Sequence, residues 1–292
     1  MATAYIGISG FIYKNCRGAF YPAAMPEKDW LRYASRAFNS VEINATFYSL
    51  KSPAVFARWA AEVPDENFVF AIKGSRFITH NLKLRNVDVA LSNFFASGVL
   101  SLGAKTGPFL WQLPSTYRFD AERIDGFLHM LPCDTPAAAR LARMHDGRLK
   151  RGVLLEPVLR EPAMPLRHAM EVRHDSYDTS EFYDLLRAHG CGYVIADTAG
   201  RFVYSEEITA DFVYVRLHGS QQLYVSGYTN EELDAWADKI GRWLAENRDV
   251  YVYFDNDAKV HAPHDARRLA ERVATSCNGL SRVQAVSWIG SG

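Results

Sequence analysis

The stretch Ser40-Val41-Glu42-Ile43-Asn44-Ala45-Thr46 decides the fold. Polar and apolar side chains alternate along it, so in a strand Glu42, Asn44 and Thr46 share one face while Val41, Ile43 and Ala45 share the other. Phe212–His218 has the same character, with Tyr214, Arg216 and His218 on one face. Six further short apolar runs also close on polar residues: Tyr5–Ser9, Phe68–Lys73, Pro108–Gln112, Ala169–His174, Tyr193–Asp197 and Val250–Asp255. In the fifth of the eight, Glu171 and Arg173 share a face. Buried strands whose last inward positions are too polar for a core are what the carboxyl-end rim of a (β/α)8 barrel requires.

Amphipathic helical stretches lie between most of these runs. Glu27–Phe38 places Trp30, Leu31, Ala34 and Phe38 at helical spacing. Ser52-Pro53 reads as an N-cap followed by proline at the first helical position, ahead of a stripe of Phe56, Trp59 and Ala60. Thr229-Asn230-Glu231-Glu232 is a capping box before the helix carrying Leu233, Trp236, Ile240 and Trp243. This alternation predicts an α/β TIM-like (β/α)8 barrel, a single domain over residues 1–292. Two irregularities are expected. The stretch from about 114 to 168 is too long for one crossover and reads as a helical insertion between strands 4 and 5, with helices at Ala121–Leu131 and Pro136–His145 and then the proline-punctuated Glu156–Pro165. The connection Asp197–Phe212 is short for a full helix, so the sixth unit is expected to be degenerate.

Composition narrows the class. Of 292 residues 48% are hydrophobic and 23% charged, as in a globular enzyme or binding protein. Lys plus Arg and Asp plus Glu are 33 each, so no global field draws the chain to nucleic acid or an anionic membrane, and anion recognition must be local. Cys16, Cys133, Cys191 and Cys277 are scattered and form no C-x-x-C pair, which predicts reduced thiols. No apolar run approaches a membrane span and the first strand begins by Tyr5, so a cytoplasmic protein is expected.

Candidate chemistry sits at the strand ends. Glu42 and Glu171 are the acid/base candidates, and His218 or His80 the proton shuttle. Lys73, Arg76, Arg173 and Arg216 form the anion-holding set, with Ser9, Asn44, Gln112, Asp197 and Asn256 as further substrate-binding positions. Lys73-Gly74-Ser75-Arg76-Phe77-Ile78-Thr79-His80 brings a point charge, a planar fork and a histidine into one loop. A different reading fits the same residues: Glu42, Glu171, Arg173 and Arg216 as a buried ion-pair network that only closes the barrel, because buried charges must be paired. Glu42, Glu171, Asp197, His218 and Asp255 are legitimate metal ligands, but no H-x-x-x-H or comparable pair is evident. Asp255-Asn256-Asp257 with His261 and His264 lacks the glycine and distal glutamate of an EF-hand loop. No metal or cofactor is expected. The chain has no G-x-G-x-x-G fingerprint or Walker loop, and Gly7-Ile8-Ser9-Gly10 is one residue short of a nucleophile elbow.

Several segments together carry a family resemblance: Gly7-Ile8-Ser9-Gly10, Val41-Glu42-Ile43-Asn44 with Thr46-Phe47-Tyr48, Lys73 with Arg76 and Thr79-His80, Lys105 with Gln112-Leu113-Pro114, Glu171 with Arg173, Arg216-Leu217-His218-Gly219, and Asn256 before Ala262-Pro263. In this order they resemble the YecE-like family, domain of unknown function 72, over nearly the full length. The resemblance implies a TIM-like barrel and supplies no mechanism to inherit. Asp255 departs from it, standing where the family pattern implies asparagine. The expected function is that of a hydrolase or lyase acting on a small anionic, phosphorylated substrate. The alternative is a non-catalytic module binding an anion or nucleic acid, with Tyr48, Tyr224 and Tyr228 to stack on a base or sugar.

Overall fold

The computed structural model describes residues 2–149, 153 and 163–276. Cys277 and residues 156–162 of the proline-punctuated segment lie outside the described residues. Eight parallel strands, β1 (Ala4–Ser9), β2 (Ser40–Ile43), β3 (Val69–Lys73), β4 (Thr106–Gln112), β5 (His168–Glu171), β6 (Gly192–Asp197), β7 (Phe212–Leu217) and β8 (Asp249–Phe254), close into a barrel in sequence order. The intervening helices are α1 (Trp30–Ala37), α2 (Ala45–Tyr48), α3 (Pro53–Glu62), α4 (Asp88–Ala96), α5 (Ala121–Met130), α6 (Thr135–Ala142), α7 (Ser180–Ala188), α8 (Asn230–Ala245) and α9 (His261–Ser276). The (β/α)8 expectation therefore holds. Two compact units are distinguished, Met1–Glu42 with Val194–Gly292, and Ile43–Tyr193.

In the first unit β1 pairs with β8 from Ala4↔Val250 to Ile8↔Phe254, and with β2 from Gly7↔Ser40 to Ser9↔Glu42. Position 7 must be glycine, because a Cβ there would lie 1.9 Å from the Ser40 carbonyl oxygen. Trp30, Leu31 and Ala34 of α1 are buried as their spacing predicts, after a 3-10 turn at Glu27–Asp29. The capping box of α8 forms in full, Thr229 accepting from the Glu232 amide and Glu232 from the Thr229 amide, and Leu233, Trp236, Ile240 and Trp243 are buried. No helix forms between β6 and β7, so the sixth unit is degenerate as expected.

In the second unit an aromatic core of Phe94, Phe95, Phe109, Trp111 and Phe127 packs in edge and tilted contacts. The stretch after β4 holds α5 and α6, opened by Asp120 and Asp134, whose carboxylates accept from the amides of Arg123 and Ala137. Ser52 occupies the N-cap of α3 with Pro53 behind it, but its side chain makes no capping bond.

Two strands end earlier than their sequence pattern suggests. β2 stops at Ile43, where Asn44 turns to φ −84°, ψ −17° and α2 begins. Asn44 and Thr46 therefore do not share a strand face with Glu42; Thr46 is buried, its hydroxyl directed at the Ile43 and Lys73 carbonyls. β5 stops at Glu171, so a strand face does not bring Arg173 beside it. A direct ion pair does.

Candidate functional site

Charged and polar side chains end the strands in both units, and the two sets are organised differently. In the unit of Met1–Glu42 with Val194–Gly292, Ser9 ends β1, Glu42 and Arg216 stand one residue before the ends of β2 and β7, and His218 follows β7. All four side chains are fully buried. Glu42 Oε1 accepts from the Ser9 hydroxyl and from Arg216 Nη2 at 2.9 Å, while Oε2 accepts from Tyr214 OH at 2.7 Å and Arg216 Nε at 3.1 Å. Arg216 Nη2 also reaches Ser9 Oγ at 2.9 Å and Asp255 Oδ2 at 3.0 Å.

The guanidinium approaches His218 Nε2 at 3.4 Å through Nη1, and because a guanidinium only donates, Nε2 is the acceptor and Nδ1 holds the proton. That Nδ1 lies 3.1 Å from Asp255 Oδ2. Asp255 is thus the second carboxylate on Arg216. Burial, then repulsion from Asp255, pushes the Asp257 carboxyl well above the usual carboxylate range. Sequence reasoning weighed Asp257 only as part of a ligand-rich loop; its burial has no local signal.

Asp197 and Asn256 are tied elsewhere in this unit. Burial raises the Asp197 carboxyl, partly offset by hydrogen bonds from Tyr228 OH at 3.0 Å and the Ala199 amide at 3.3 Å. Asn256 is buried and donates to Ser226 O and Asp265 Oδ2, each at 3.0 Å, anchoring the end of β8 to α9. Tyr228 is buried, while Tyr224 is part-buried and packs with its ring at 85° to that of His218, centroids 5.3 Å apart.

The unit Ile43–Tyr193 holds the other set. Lys73 ends β3, is 8% exposed and lies with Nζ 4.7 Å over the Phe47 ring. His80 packs on the same ring, centroids 5.1 Å apart. It belongs to a single π-helical turn, Phe77–Asn81, whose entrance is the exposed Arg76. Turns of this kind are frequent at functional sites, and no sequence pattern announces them. The Thr79 hydroxyl donates to Ser75 O at 3.3 Å and lies 2.9 Å from His80 Nδ1. With its one proton committed, Thr79 accepts from Nδ1–H, leaving Nε2 as the acceptor of a neutral ring.

Burial first, then the positive charges of Lys73, Arg173 and Arg76, lower His80 to about 4, with a small opposing pull from Glu171. Glu171 is fully buried at the end of β5 and takes Arg173 Nε and Nη2 on one oxygen, both at 2.7 Å. Gln112 ends β4 in register with Glu171 and donates to Leu113 O. Among the described residues, the charged groups that act on His80 are these three cations and Glu171. Tyr48, packed on Phe47 with centroids 5.1 Å apart, is 71% exposed, far more than the buried Tyr228.

Cys16, Cys133 and Cys191 are free thiols, as expected. Burial raises Cys16 to about 12, with help from Asp257, so it is not a nucleophile. Among the described residues no helix is long and apolar enough to cross a membrane.

The chain is similar to known proteins in sequence and in fold. It is 35% identical to the UPF0759 protein YecE of Escherichia coli (strain K12) over 83 residues, a match that takes in 28% of this chain and 30% of that protein's length. It is 21% identical to the UPF0759 protein YunF of Bacillus subtilis (strain 168), across 95% of this chain and 97% of YunF. A DUF72 family protein from Thermotoga maritima MSB8 superimposes with a TM-score of 0.66 at 22% identity, covering 92% of this chain and 98% of that one; at that identity the likeness speaks for the fold. The segments from Gly7 to Pro263 that carry the resemblance lie within residues 5–287, the span matched by the family model described as protein of unknown function DUF72, and the chain belongs to that family.

Proposed function

We propose that this protein is an enzyme of hydrolase or lyase type that takes a small anionic, phosphate-bearing substrate at Lys73, Arg76, His80 and Arg173, with Glu171 as the acid/base group. The observation that carries the reading is the gathering of Lys73 and His80 on one aromatic ring, within the electrostatic reach of Arg76, Arg173 and Glu171. Fixed cations in a partly dehydrated site stabilise negative charge as it develops on a reacting oxygen. His80, neutral at physiological pH, presents Nε2 to a substrate hydroxyl. Glu42 and Arg216 have no substrate role in this reading, because their hydrogen-bonding atoms are occupied by each other and by Ser9, Tyr214 and Asp255.

A panel of phosphomonoesters, phosphodiesters and sugar phosphates tests it. Turnover of at least one is expected, and Glu171→Gln should abolish it while circular dichroism stays unchanged. Turnover that survives this substitution removes Glu171 from the chemistry; a panel with neither turnover nor saturable binding sinks the reading.

The exposed ring of Tyr48 supports a second reading, a module that binds an anion or single-stranded nucleic acid without chemistry. A salt titration of oligonucleotide binding separates the two, since several phosphate contacts demand a steep loss of affinity with salt.

A further inference from the structure

Away from the strand ends, α5 and α7 hold a cluster that the proposed function does not use. Asp125 and His129 stand one turn apart on α5, and His189 is the C-cap of α7. Asp125 Oδ1 lies 2.8 Å from His189 Nε2, and Oδ2 lies 3.4 Å from His129 Nδ1. The two imidazoles meet edge to face with centroids 4.4 Å apart. One ligand atom from each of the three side chains lies within 4.8 Å of the other two. Asp125-x-x-x-His129 is thus a ligand pair at helical spacing, correcting the sequence reading that found none. Its third member comes from a distant helix.

We propose that Asp125, His129 and His189 form a binding site for a zinc-type divalent ion that clips α5 to α7, with solvent completing the coordination. Two imidazoles and one carboxylate suit zinc and its neighbours, whereas magnesium and calcium prefer all-oxygen sets. Zinc bonds of about 2.0–2.2 Å in a tetrahedron place ligand atoms about 3.4 Å apart, so atoms already within 4.8 Å need close by only about 1–1.5 Å.

The side chains can make that movement. His129 is 68% exposed and its Nδ1 also lies 3.0 Å from the Asp125 carbonyl oxygen, a contact it would exchange for the ion, while His189, 17% exposed, is held in place by Asp125. The Asp125 carboxylate sits between the two rings, one oxygen toward each. His189 is held by that carboxylate, and His129 by its contact with the Asp125 carbonyl oxygen and by edge-to-face packing on His189, so three ligand groups converge on one point of the α5–α7 seam.

The test is a titration of zinc chloride into tag-free, chelator-treated full-length protein, followed by calorimetry and thermal unfolding. One equivalent should bind saturably and raise Tm, and cobalt in its place should give the intense visible bands of a four-coordinate ion. His129→Ala changes an exposed helix position, so it should fold normally while weakening zinc binding by about tenfold or more, in line with the loss of a metal-positioning group. Asp125→Asn should do the same. No saturable binding overturns the proposal. So does zinc binding that both variants retain, which would place the ion elsewhere.

Discussion

The two units use the same residue types at their strand ends and reach opposite results. Around Arg216 one guanidinium meets two carboxylates, a histidine and a serine, and one of those carboxylates also accepts from Tyr214. Around His80, among the described residues, Lys73, Arg76 and Arg173 act with Glu171, the histidine is kept neutral, and the entrance residue Arg76 is exposed. Polar residues at barrel strand ends are therefore not by themselves a site; the two sets differ in how their charges and hydrogen bonds are matched.

The largest expected effect follows from the closed set. Arg216→Met leaves the fully buried Glu42 and the part-buried Asp255 without their cation, which should cost about 3–5 kcal/mol in urea unfolding. The double variant Arg216→Met, Glu42→Gln should recover part of that loss, because the uncompensated buried charge goes with the glutamate. A loss below about 1 kcal/mol for the single variant would mean the network is not structural, and the contrast between the units would fail.

A second effect, of about 3 kcal/mol, comes from a histidine that the sequence reading passed over. His168 opens β5 and is buried; Trp111 Nε1 donates to its Nδ1 at 3.1 Å, and its Nε2 donates to Pro132 O at 2.8 Å. Protonating Nδ1 would turn that acceptor into a second donor facing the Trp111 N–H. Burial accordingly lowers His168 from 6.5 to about 4. The unfolded chain takes up this proton below pH 6.5 and the folded chain only below about 4, so the stability is present above 6.5 and lost progressively as pH falls to 4. At about 1.4 kcal/mol per pH unit the loss is about 3 kcal/mol, and His168→Gln should flatten that slope in urea titrations at pH 7, 5.5 and 4.5. An unchanged slope would show that His168 is not the group responsible.

Much of the fold was legible in the sequence because each strand carries its own apolar run and each helix its own stripe. The misreadings cluster where backbone geometry changes without a change of pattern. Polar and apolar residues go on alternating through Asn44-Ala45-Thr46 although the backbone has turned helical. Arg76 to His80 reads as a basic loop in sequence, and only the π-turn sets His80 against Phe47 beside Lys73. The residues of both clusters were named from their strand ends, but which cluster is self-satisfied depends on hydrogen-bond partners such as Asp255 and Tyr214, and composition does not supply those. His189 completes its group with Asp125 and His129 only through the packing of two helices.

The open cluster predicts a smaller effect, on binding rather than stability. Arg76 is exposed, so Arg76→Ala should change unfolding free energy by no more than about 0.5 kcal/mol. The same change should weaken saturable binding of inorganic phosphate by about tenfold, in keeping with the loss of one charge-assisted hydrogen bond. If stability falls with Arg76→Ala and phosphate binding does not, the second set is as structural as the first.

The smallest effect is also the most direct reading of the electrostatics. His80 sits at about 4 because burial and the field of Lys73, Arg173 and Arg76 both oppose a proton on the ring. A bound phosphate would offset that field, so the imidazole pKa followed by NMR should rise when phosphate is added and stay near its starting value with an equal concentration of chloride. Burial persists in the complex, and it is the leading cause of the depression, so the pKa should remain below the ordinary histidine value. An equal rise with chloride would mean that phosphate acts through ionic strength alone, and the distinction drawn between the units would lose its electrostatic basis.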